Sequence, residues 1–223
     1  MEIRKQAVVL DFDGTIADAE DVLLKVYDPL AKKYGWPKLT RRDYYRLRKG
    51  NPRDIMRWAN VKIWQIPKLL KVGRREYKKH IGDVRLFDGM PAVIDRLSKD
   101  TDVYILSSND RETVRKILAR NKIRTRLTIL HGSSLFSKDK ALKKLLKRGY
   151  LANDSWMIGD EIRDIQAGKK TRMKTIGVTW GLQSEQALRS ISPDYIAKKP
   201  GDILKFLYNK DQTVGDNNQR SQN

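Results

Sequence analysis

The sequence predicts an α/β protein with a doubly wound parallel sheet and a small, all-helical insertion. Three observations lead to this prediction: five short apolar runs that are typical of buried strands, amphipathic helical patterns that separate most of them, and one long stretch after the first run that contains helical patterns only. Strands that alternate with helices form parallel sheets through right-handed crossovers. The alternation therefore predicts the sheet, and the helical stretch predicts the insertion.

The apolar runs are five residues each and are rich in Val, Ile and Leu. They predict strands at 7–11, 103–107, 127–131, 156–160 and 175–179. Runs of this length, bounded by polar or turn-forming residues, are typical of strands that are buried on both faces.

Helical patterns fill most of the intervals between these strands. Apolar residues recur three or four positions apart in "MPAVIDRLSKD", "ETVRKILARN" and "KALKKLLKRG". This spacing places them on one helix face, which predicts three helices packed against the sheet.

Residues 17–85 form the predicted helical insertion, and the core is predicted to comprise 1–16 and 86–208. The insertion contains no convincing strand but several helical stretches, and it carries 19 Lys and Arg residues against 8 Asp and Glu residues. The polar stretch 209–223 is predicted to be a disordered tail.

Composition restricts the possible functions. No apolar run of the 223-residue chain approaches the roughly 20 residues that a membrane span needs, and the N-terminus lacks the apolar segment of a signal peptide. The absence of Cys excludes disulfides and thiolate chemistry and fits a reducing cytoplasm, which is the predicted location. The formal charge of +20 predicts attraction to polyanions, with a general solubility bias as an equal alternative.

Four aspartates follow the ends of two predicted strands. Asp11 closes the first strand and Asp13 follows it, while Asp160 closes the fourth and Asp164 comes one helical turn later. In open parallel sheets, ligands bind beyond the carboxyl ends of the strands. Carboxylates gathered there repel one another, and a divalent cation relieves the repulsion. Oxygen ligands without His or Cys favour Mg²⁺. A polar turn is the alternative, and the spacing does not match a calcium-binding EF-hand.

Ser107, Ser108 and Lys138 supply what a phosphate group needs at the same edge. Ser107 ends the second strand and offers hydroxyl and backbone donors, and Lys138 offers a fixed positive charge. Lys140 is the alternative lysine, and Lys138 is preferred because it precedes the predicted helix. The same "SSND" stretch is also a good helix N-terminus, which can itself bind anions. With the aspartates, these residues predict phosphoryl transfer to an aspartate.

Four motifs follow one another between residue 7 and about residue 180: "DFDGT", then a strand that ends in Ser107, then Lys138, then "GDEIRD". This series resembles the four motifs of the haloacid dehalogenase-like (HAD) superfamily. The stretches "IGVTWG" and "PDYIAKKPGDIL" are similar to its phosphoglycolate-phosphatase-like branch. One departure is Asp139, where the family often has proline. The resemblance implies a Rossmann-like catalytic core with residues 17–85 as a mobile helical cap over the site.

The resemblance also implies roles for the first motif. Asp11 would be the nucleophile that forms an aspartyl-phosphate, and its carboxylate would also bind the metal. Asp13 would be the general acid for the leaving group and then the general base for water, with its main-chain carbonyl on the metal.

The other motifs carry further implied roles. Ser107 would bind the phosphoryl group through its hydroxyl, with the backbone N–H of Ser108 beside it. Lys138 would neutralise negative charge. Asp160 would be a metal ligand, and Asp164 would complete the metal shell directly or through water.

Two further predictions concern the surroundings of the site. Glu161 is predicted to point away from it, either exposed to solvent or supporting the metal-binding residues from behind. The substrate-reading part of the insertion is predicted in "RLRKGNPR", with a solvated turn as the alternative; its candidate residues are Arg46, Arg48, Lys49, Asn51 and Arg53.

The predicted function is a Mg²⁺-dependent phosphomonoester hydrolase, that is, a phosphatase, acting through an aspartyl-phosphate on a small phosphorylated metabolite, phosphoglycolate-like by resemblance. Two alternatives stay open: a nucleotide or nucleic-acid-end phosphatase, favoured by the basic insertion, and an inactive phosphatase scaffold that binds polyanions. Nucleic acid is a possible partner from charge but is not predicted, since no nucleic-acid-binding motif is present. No membrane partner is predicted, and the sequence predicts no oligomeric state.

Overall fold

The computed structural model describes residues 6–49, 52–132, 138–150 and 152–208. The predicted tail at 209–223 lies outside these residues. The strands within the described ranges are β1 (Ala7–Asp11), β2 (Ala17–Asp18), β3 (Arg85–Leu86), β4 (Asp102–Ser107), β5 (Thr128–His131), β6 (Trp156–Gly159), β7 (Lys174–Val178) and β8 (Tyr195–Ala197).

The helices of the same ranges fall into two groups. Those between β2 and β3 are α1 (Glu20–Tyr34), α2 (Arg41–Leu47), α3 (Pro52–Trp58) and α4 (Ile66–Lys79). Those that follow β3 are α5 (Met90–Asp100), α6 (Arg111–Arg120), α7 (Lys138–Leu146), α8 (Ile162–Lys170), α9 (Glu185–Arg189) and α10 (Pro200–Tyr208).

Six strands form one parallel sheet in the order β5–β4–β1–β6–β7–β8. From the central β1 the chain runs outward to β4 and β5, then returns to β6 beside β1 and runs outward the other way. The connections therefore diverge at β1 and β6, and a crevice opens beyond the carboxyl ends of these two strands. This is the topological switch point at which ligands of such sheets bind.

Helices cover both faces of the sheet, as a doubly wound fold requires. Alternate residues of β1 enter different core clusters: Val8 and Leu10 pack with Ile94 of α5, whereas Val9 packs with Leu142 of α7. All five residues of β1 are buried, so the strand is held from both sides. The predicted fold class is confirmed.

The five predicted strands are all present, each within one residue of its predicted ends. β8 was not predicted, because it has three residues and two of them are only half-buried. The expectation that 17–85 contains no strand is wrong at its two ends, where β2 pairs antiparallel with β3. Two-residue strands are too short to show an alternating pattern.

The helices α1 to α4 form a unit that we call the helical segment, residues 20–79. Tyr27 of α1 stacks on Trp58 of α3, with ring centroids 6.1 Å apart. Val26 of α1 and Tyr77 of α4 belong to the same core cluster as the sheet. The limits 17–85 for a separate insertion stay a prediction. Within the described ranges, none of the helices combines the length and the apolar character that crossing a membrane requires.

Candidate active site

Three buried carboxylates meet at the switch point. Asp11 ends β1, Asp160 follows the neighbouring β6, and Asp164 lies in the first turn of α8. Each offers an oxygen that lies within 4.8 Å of the oxygens of the other two. Parallel pairing of β1 with β6 sets the first two side by side, and one helical turn returns the third to the same point.

Hydrogen bonds from one hydroxyl and two backbone N–H groups hold Asp160 and Asp164 in place. The Thr15 hydroxyl donates to Asp160 Oδ1 at 2.9 Å, and the Leu182 backbone N–H donates to Asp160 Oδ2 at 2.7 Å. The Glu161 N–H donates to Asp164 Oδ2 at 3.1 Å. Both carboxylates are therefore fixed before any ligand arrives.

Gly14 lets the turn after β1 approach Asp160, which follows β6. Its φ is +86°, and a Cβ at this position would lie 2.2 Å from Asp160 Oδ2. Only glycine satisfies both the left-handed backbone and the close contact.

Lys138 is the basic residue that enters the cluster. Its Nζ donates to Asp11 Oδ1 at 2.6 Å and also to Asp164 Oδ1, and the side chain is only 5% exposed. Lys140 is exposed. Lys138 is the first residue of α7, so the expectation that it precedes the helix is wrong by one residue. The geometry favours Lys138 over Lys140.

The charges of the cluster do not balance. Burial raises the pKa of Asp11 although Lys138 opposes the effect, and burial with the neighbouring carboxylates raises the pKa of Asp160 and Asp164. Burial alone would lower the pKa of Lys138, but Asp11 and Asp164 outweigh it and keep the ammonium charged. Lys138 contacts Asp11 and Asp164 but not Asp160, and the nearby Arg163 is offset by Glu161. Negative charge is therefore in excess, and the all-oxygen donor set fits a hard divalent cation.

Asp13 has surroundings of its own. The Tyr77 hydroxyl, from α4, donates to its Oδ1 at 2.7 Å, and the Asn109 side-chain N–H donates to its Oδ2 at 2.8 Å. Burial raises the pKa of Asp13, while the Tyr77 hydrogen bond and the Lys138 charge act against it. The two aspartates of "DFD" therefore face different partners.

The two serines after β4 differ in exposure. Ser107 is buried, and its hydroxyl oxygen accepts from the Asn109 N–H at 3.0 Å. A cavity opens beside Asp11, between the site and the helical segment. Ser108 lines this cavity, and Ser107 does not. Asp110 caps α6 by accepting from the Thr113 N–H at 3.0 Å. The serines are thus at the predicted edge, and their phosphate contacts stay a prediction.

Glu161 corrects one expectation. It is buried, lines the same cavity as Asp11 and forms an ion pair with Arg163. The solvent-exposed alternative is therefore wrong, and the supporting role behind the metal-binding residues stays a prediction. Burial alone would raise the pKa of Glu161, and the Arg163 and Lys138 charges reverse this and lower it. Glu161 is the N-cap residue of α8, directly before Ile162.

A cavity of about 670 Å³ separates the carboxylate cluster from the helical segment. Arg48, from the stretch predicted to read the substrate, donates instead to the backbone carbonyls of Gly181 at 2.6 Å and Leu182 at 3.0 Å. Arg46 pairs with Asp43 at 3.0 Å. Arg48 therefore joins the helical segment to the loop after β7.

The rest of that predicted stretch contributes less. Lys49 is exposed, Asn51 lies outside the described residues, and the Arg53 side chain does as well. A substrate-reading role for this stretch stays a prediction.

The fold and the site define a class of protein: α/β enzymes that work at the carboxyl edge of a parallel sheet with a buried group of carboxylates. The chain belongs to the haloacid dehalogenase-like hydrolase family, whose sequence model matches residues 8–178. Members of this family that are phosphatases generally use a divalent metal, and the cluster described above fits one. The predicted family and hydrolase class are confirmed.

Individual proteins resemble the chain over most of its length. It is 31% identical to a phosphoglycolate phosphatase of Synechococcus elongatus, over 91% of this chain and 97% of the relative. It is 24% identical to the pyrophosphatase PpaX of Bacillus velezensis, over 90% and 95%. A predicted phosphatase from Clostridium acetobutylicum shares the fold with a TM-score of 0.77 at 20% identity, over 92% and 98%.

Sequence reasoning missed two partners of Asp13. Asn109 stands in the "SSND" stretch that was assigned to phosphate binding or capping, and its amide carried no separate signal. Tyr77 lies 64 residues from Asp13, and no sequence pattern linked the two residues.

Proposed function

We propose that this chain is a phosphomonoester hydrolase that uses Asp11 as nucleophile, Asp13 as proton donor and acceptor, and Mg²⁺ as cofactor. One observation carries the proposal: two carboxylates two residues apart have separate partners. Asp11 is paired with Lys138, and Asp13 is held by Tyr77 and Asn109. Such a division suits one group for attack and the other for proton transfer.

The metal would be held by Asp11, Asp160 and Asp164, with the main-chain carbonyl of Asp13 as a further ligand. When bound, it would supply positive charge to the phosphate oxygens and the attacking carboxylate. Mg²⁺ is proposed over other divalent ions because the cluster offers oxygen atoms and leaves room for phosphate and water ligands.

In the first step a carboxylate oxygen of Asp11 attacks phosphorus, and the bond from phosphorus to the ester oxygen breaks. Asp13 gives its proton to the departing alkoxide, which leaves as the alcohol. Lys138 lies against Asp11 at 2.6 Å and offsets negative charge there, without changing its own protonation. The product of this step is an aspartyl-phosphate.

In the second step water attacks the same phosphorus. Asp13, now a carboxylate, takes the proton of the water, and the bond between phosphorus and the Asp11 oxygen breaks. Phosphate leaves, and both aspartates return to their starting state. A neighbouring pair that exchanges one proton in this way matches the needs of acid–base catalysis.

Binding of the phosphoryl group would fall to the loop after β4. The Ser108 backbone N–H and the Ser107 hydroxyl are the proposed donors, next to the capped N-terminus of α6. A helix N-terminus favours an anion, which supports this assignment.

The helical segment would act as a cap that closes over the site. The contacts it makes with the core support this role: Tyr77 with Asp13 at 2.7 Å, Arg48 with the carbonyl of Gly181 at 2.6 Å, and Lys78 with Asp110 at 2.9 Å. Closure would exclude water from the first step. The domain limits 17–85 are part of this proposal.

The substrate would be a small phosphorylated metabolite, and the enzyme would work in the cytoplasm. The first compound to test is 2-phosphoglycolate, since the relative of 31% identity is a phosphoglycolate phosphatase. Nucleotides and sugar phosphates complete the panel, because the basic helical segment favours anionic substrates.

The test is release of phosphate from para-nitrophenyl phosphate and from this panel, with Mg²⁺ or with a chelator. Wild-type protein is expected to hydrolyse at least one compound in a Mg²⁺-dependent manner, and Asp11→Asn is expected to fall to background. Asp95→Asn, on the exposed face of α5, is the matched control and is expected to behave as wild type. Equal rates for wild type and Asp11→Asn on every compound would overturn the proposal.

A further inference from the structure

Helix α4 presents one face to the cavity along most of its length. The cavity-lining residues of this helix stand at intervals of three or four: Ile66, Leu69, Leu70, Gly73, Arg74 and Tyr77. Such spacing places them on a single stripe. Tyr77 marks the catalytic end of the stripe, because its hydroxyl donates to Asp13.

The other helices of the segment add apolar side chains to the same cavity. These are Leu23 from α1, Leu47 from α2, and Ile55 and Met56 from α3. Within the described residues, neither core cluster includes these four or the three aliphatic residues of α4. Leu23 is 39% exposed. The helical segment therefore carries an apolar wall that the protein does not cover itself.

Charged groups line the same cavity. Arg74 lies one turn from Tyr77, at the catalytic end, and Arg48 is engaged with backbone carbonyls. Asp18 and Glu20 also line the cavity and offset the positive charges of Arg48 and Arg74. The stretch of α4 from Ile66 to Leu70 contributes aliphatic side chains only.

The aliphatic part of α4, from Ile66 to Leu70, lies far along the helix from Tyr77, the residue that contacts Asp13. Measured along the helix axis, Leu70 is about 10 Å and Ile66 about 16 Å from Tyr77, at about 1.5 Å per residue. Glycolate has two carbons, so it would not reach these aliphatic side chains and would leave them exposed to water. An apolar wall favours binding of a ligand when the two bury apolar surface against each other.

We propose that the cavity takes an apolar leaving group, so that the preferred substrate is a phosphomonoester whose alcohol carries an alkyl or aryl group long enough to reach Leu69 and Leu70. This inference rests on the proposed phosphatase function and narrows its substrate class. The phosphoryl group would lie at Asp11, and the alcohol would extend along α4 away from Tyr77.

The first experiment measures kcat/KM for methyl, butyl, hexyl and octyl phosphate, with 2-phosphoglycolate as the compact anionic comparison. Each additional buried methylene is expected to raise kcat/KM by about fourfold until the wall ends. Hexyl phosphate should therefore exceed 2-phosphoglycolate. A flat series, or a higher kcat/KM for 2-phosphoglycolate, overturns the inference.

A second experiment fills the cavity from α4. A Cβ added at the cavity-lining Gly73 has no heavy atom within 4 Å, so the side chain of Gly73→Leu starts in open space. Its matched control is Gly201→Leu in α10, where a Cβ also has no neighbour within 4 Å. Gly73→Leu is expected to lower the hexyl-to-methyl ratio of kcat/KM at least tenfold, and Gly201→Leu is expected to leave the ratio unchanged.

Leu70→Asn tests the polarity of the wall rather than its volume, and it should also lower the hexyl-to-methyl ratio. If the ratio is the same in wild type, Gly73→Leu and Leu70→Asn, the wall does not bind the leaving group. Failure of the proposed function has another signature: no ester is hydrolysed faster by wild type than by Asp11→Asn.

Discussion

Replacement of Tyr77 by Phe removes one hydroxyl from the site and keeps the ring. Tyr77 is buried, and its hydroxyl donates to Asp13 Oδ1 at 2.7 Å, while Asn109 continues to donate to Oδ2 at 2.8 Å. The variant therefore isolates the hydrogen bond that links the helical segment to the proposed acid–base residue.

The magnitude follows from the strength of that bond. A hydrogen bond to a charged group is worth about 1.5–3 kcal/mol, and Asn109 retains the other oxygen, so the lower figure applies. A change of about 1.4 kcal/mol corresponds to one pKa unit. The Tyr77 hydroxyl favours the ionised form of Asp13 and lowers its pKa, against the burial that raises it. Its removal should therefore raise the pKa of Asp13 by roughly one unit.

The assay is the pH dependence of kcat/KM for the best substrate. The proposed first step needs Asp13 protonated, so activity declines as pH rises through the pKa of Asp13. In Tyr77→Phe this basic limb should move to higher pH by roughly one unit. Tyr27→Phe is the matched control, since its hydroxyl donates at 2.8 Å to the Pro37 carbonyl within the helical segment. A limb that stays in place, or moves to lower pH, in Tyr77→Phe refutes the reasoning.

Three further outcomes are expected. Without metal, the three buried carboxylates have pKa values above those of the unfolded chain, so the folded state binds more protons and the melting temperature should fall as pH rises from about 4 to 7. Mg²⁺ should remove this fall. A melting temperature that does not change with pH in the metal-free protein would contradict the raised pKa values. Gly14→Ala should lower the free energy of unfolding, measured in urea, by roughly 2–4 kcal/mol through backbone strain and contact with Asp160. The control Gly35→Ala, with positive φ but no close neighbour, should lower it by about 1 kcal/mol. Equal losses in the two variants would contradict the contact with Asp160. Lys138→Met should abolish hydrolysis in the enzyme assay. In urea titrations without metal it should also destabilise the fold by about 3–5 kcal/mol, because the carboxylates lose their buried partner. Lys140→Met should change neither activity nor stability.

The parallel sheet could be predicted from the sequence because its strands are buried on both faces. Continuous apolar runs, as in β1, mark such strands without any knowledge of their neighbours. β2, β3 and β8 escaped prediction because each has two or three residues, and their pairing depends on chain segments that are distant in sequence.

The proposed catalytic residues could be located because strand ends converge in this fold. Asp11 and Asp160 follow adjacent parallel strands, so their closeness follows from topology. The inward position of Glu161 did not follow, because it depends on the ion pair with Arg163 and on where α8 begins.

The sequence by itself determined the family, five of the six strands of the parallel sheet and the carboxylates at their ends, because these depend on local patterns of apolar and polar residues. The tertiary structure alone decided which side chains of the helical segment face the site. Tyr77 meets Asp13, Arg48 meets the loop after β7, and Leu69 and Leu70 line the cavity. Helical spacing shows that a helix has an apolar face, but the partner of that face is set by packing between segments that lie far apart in the chain.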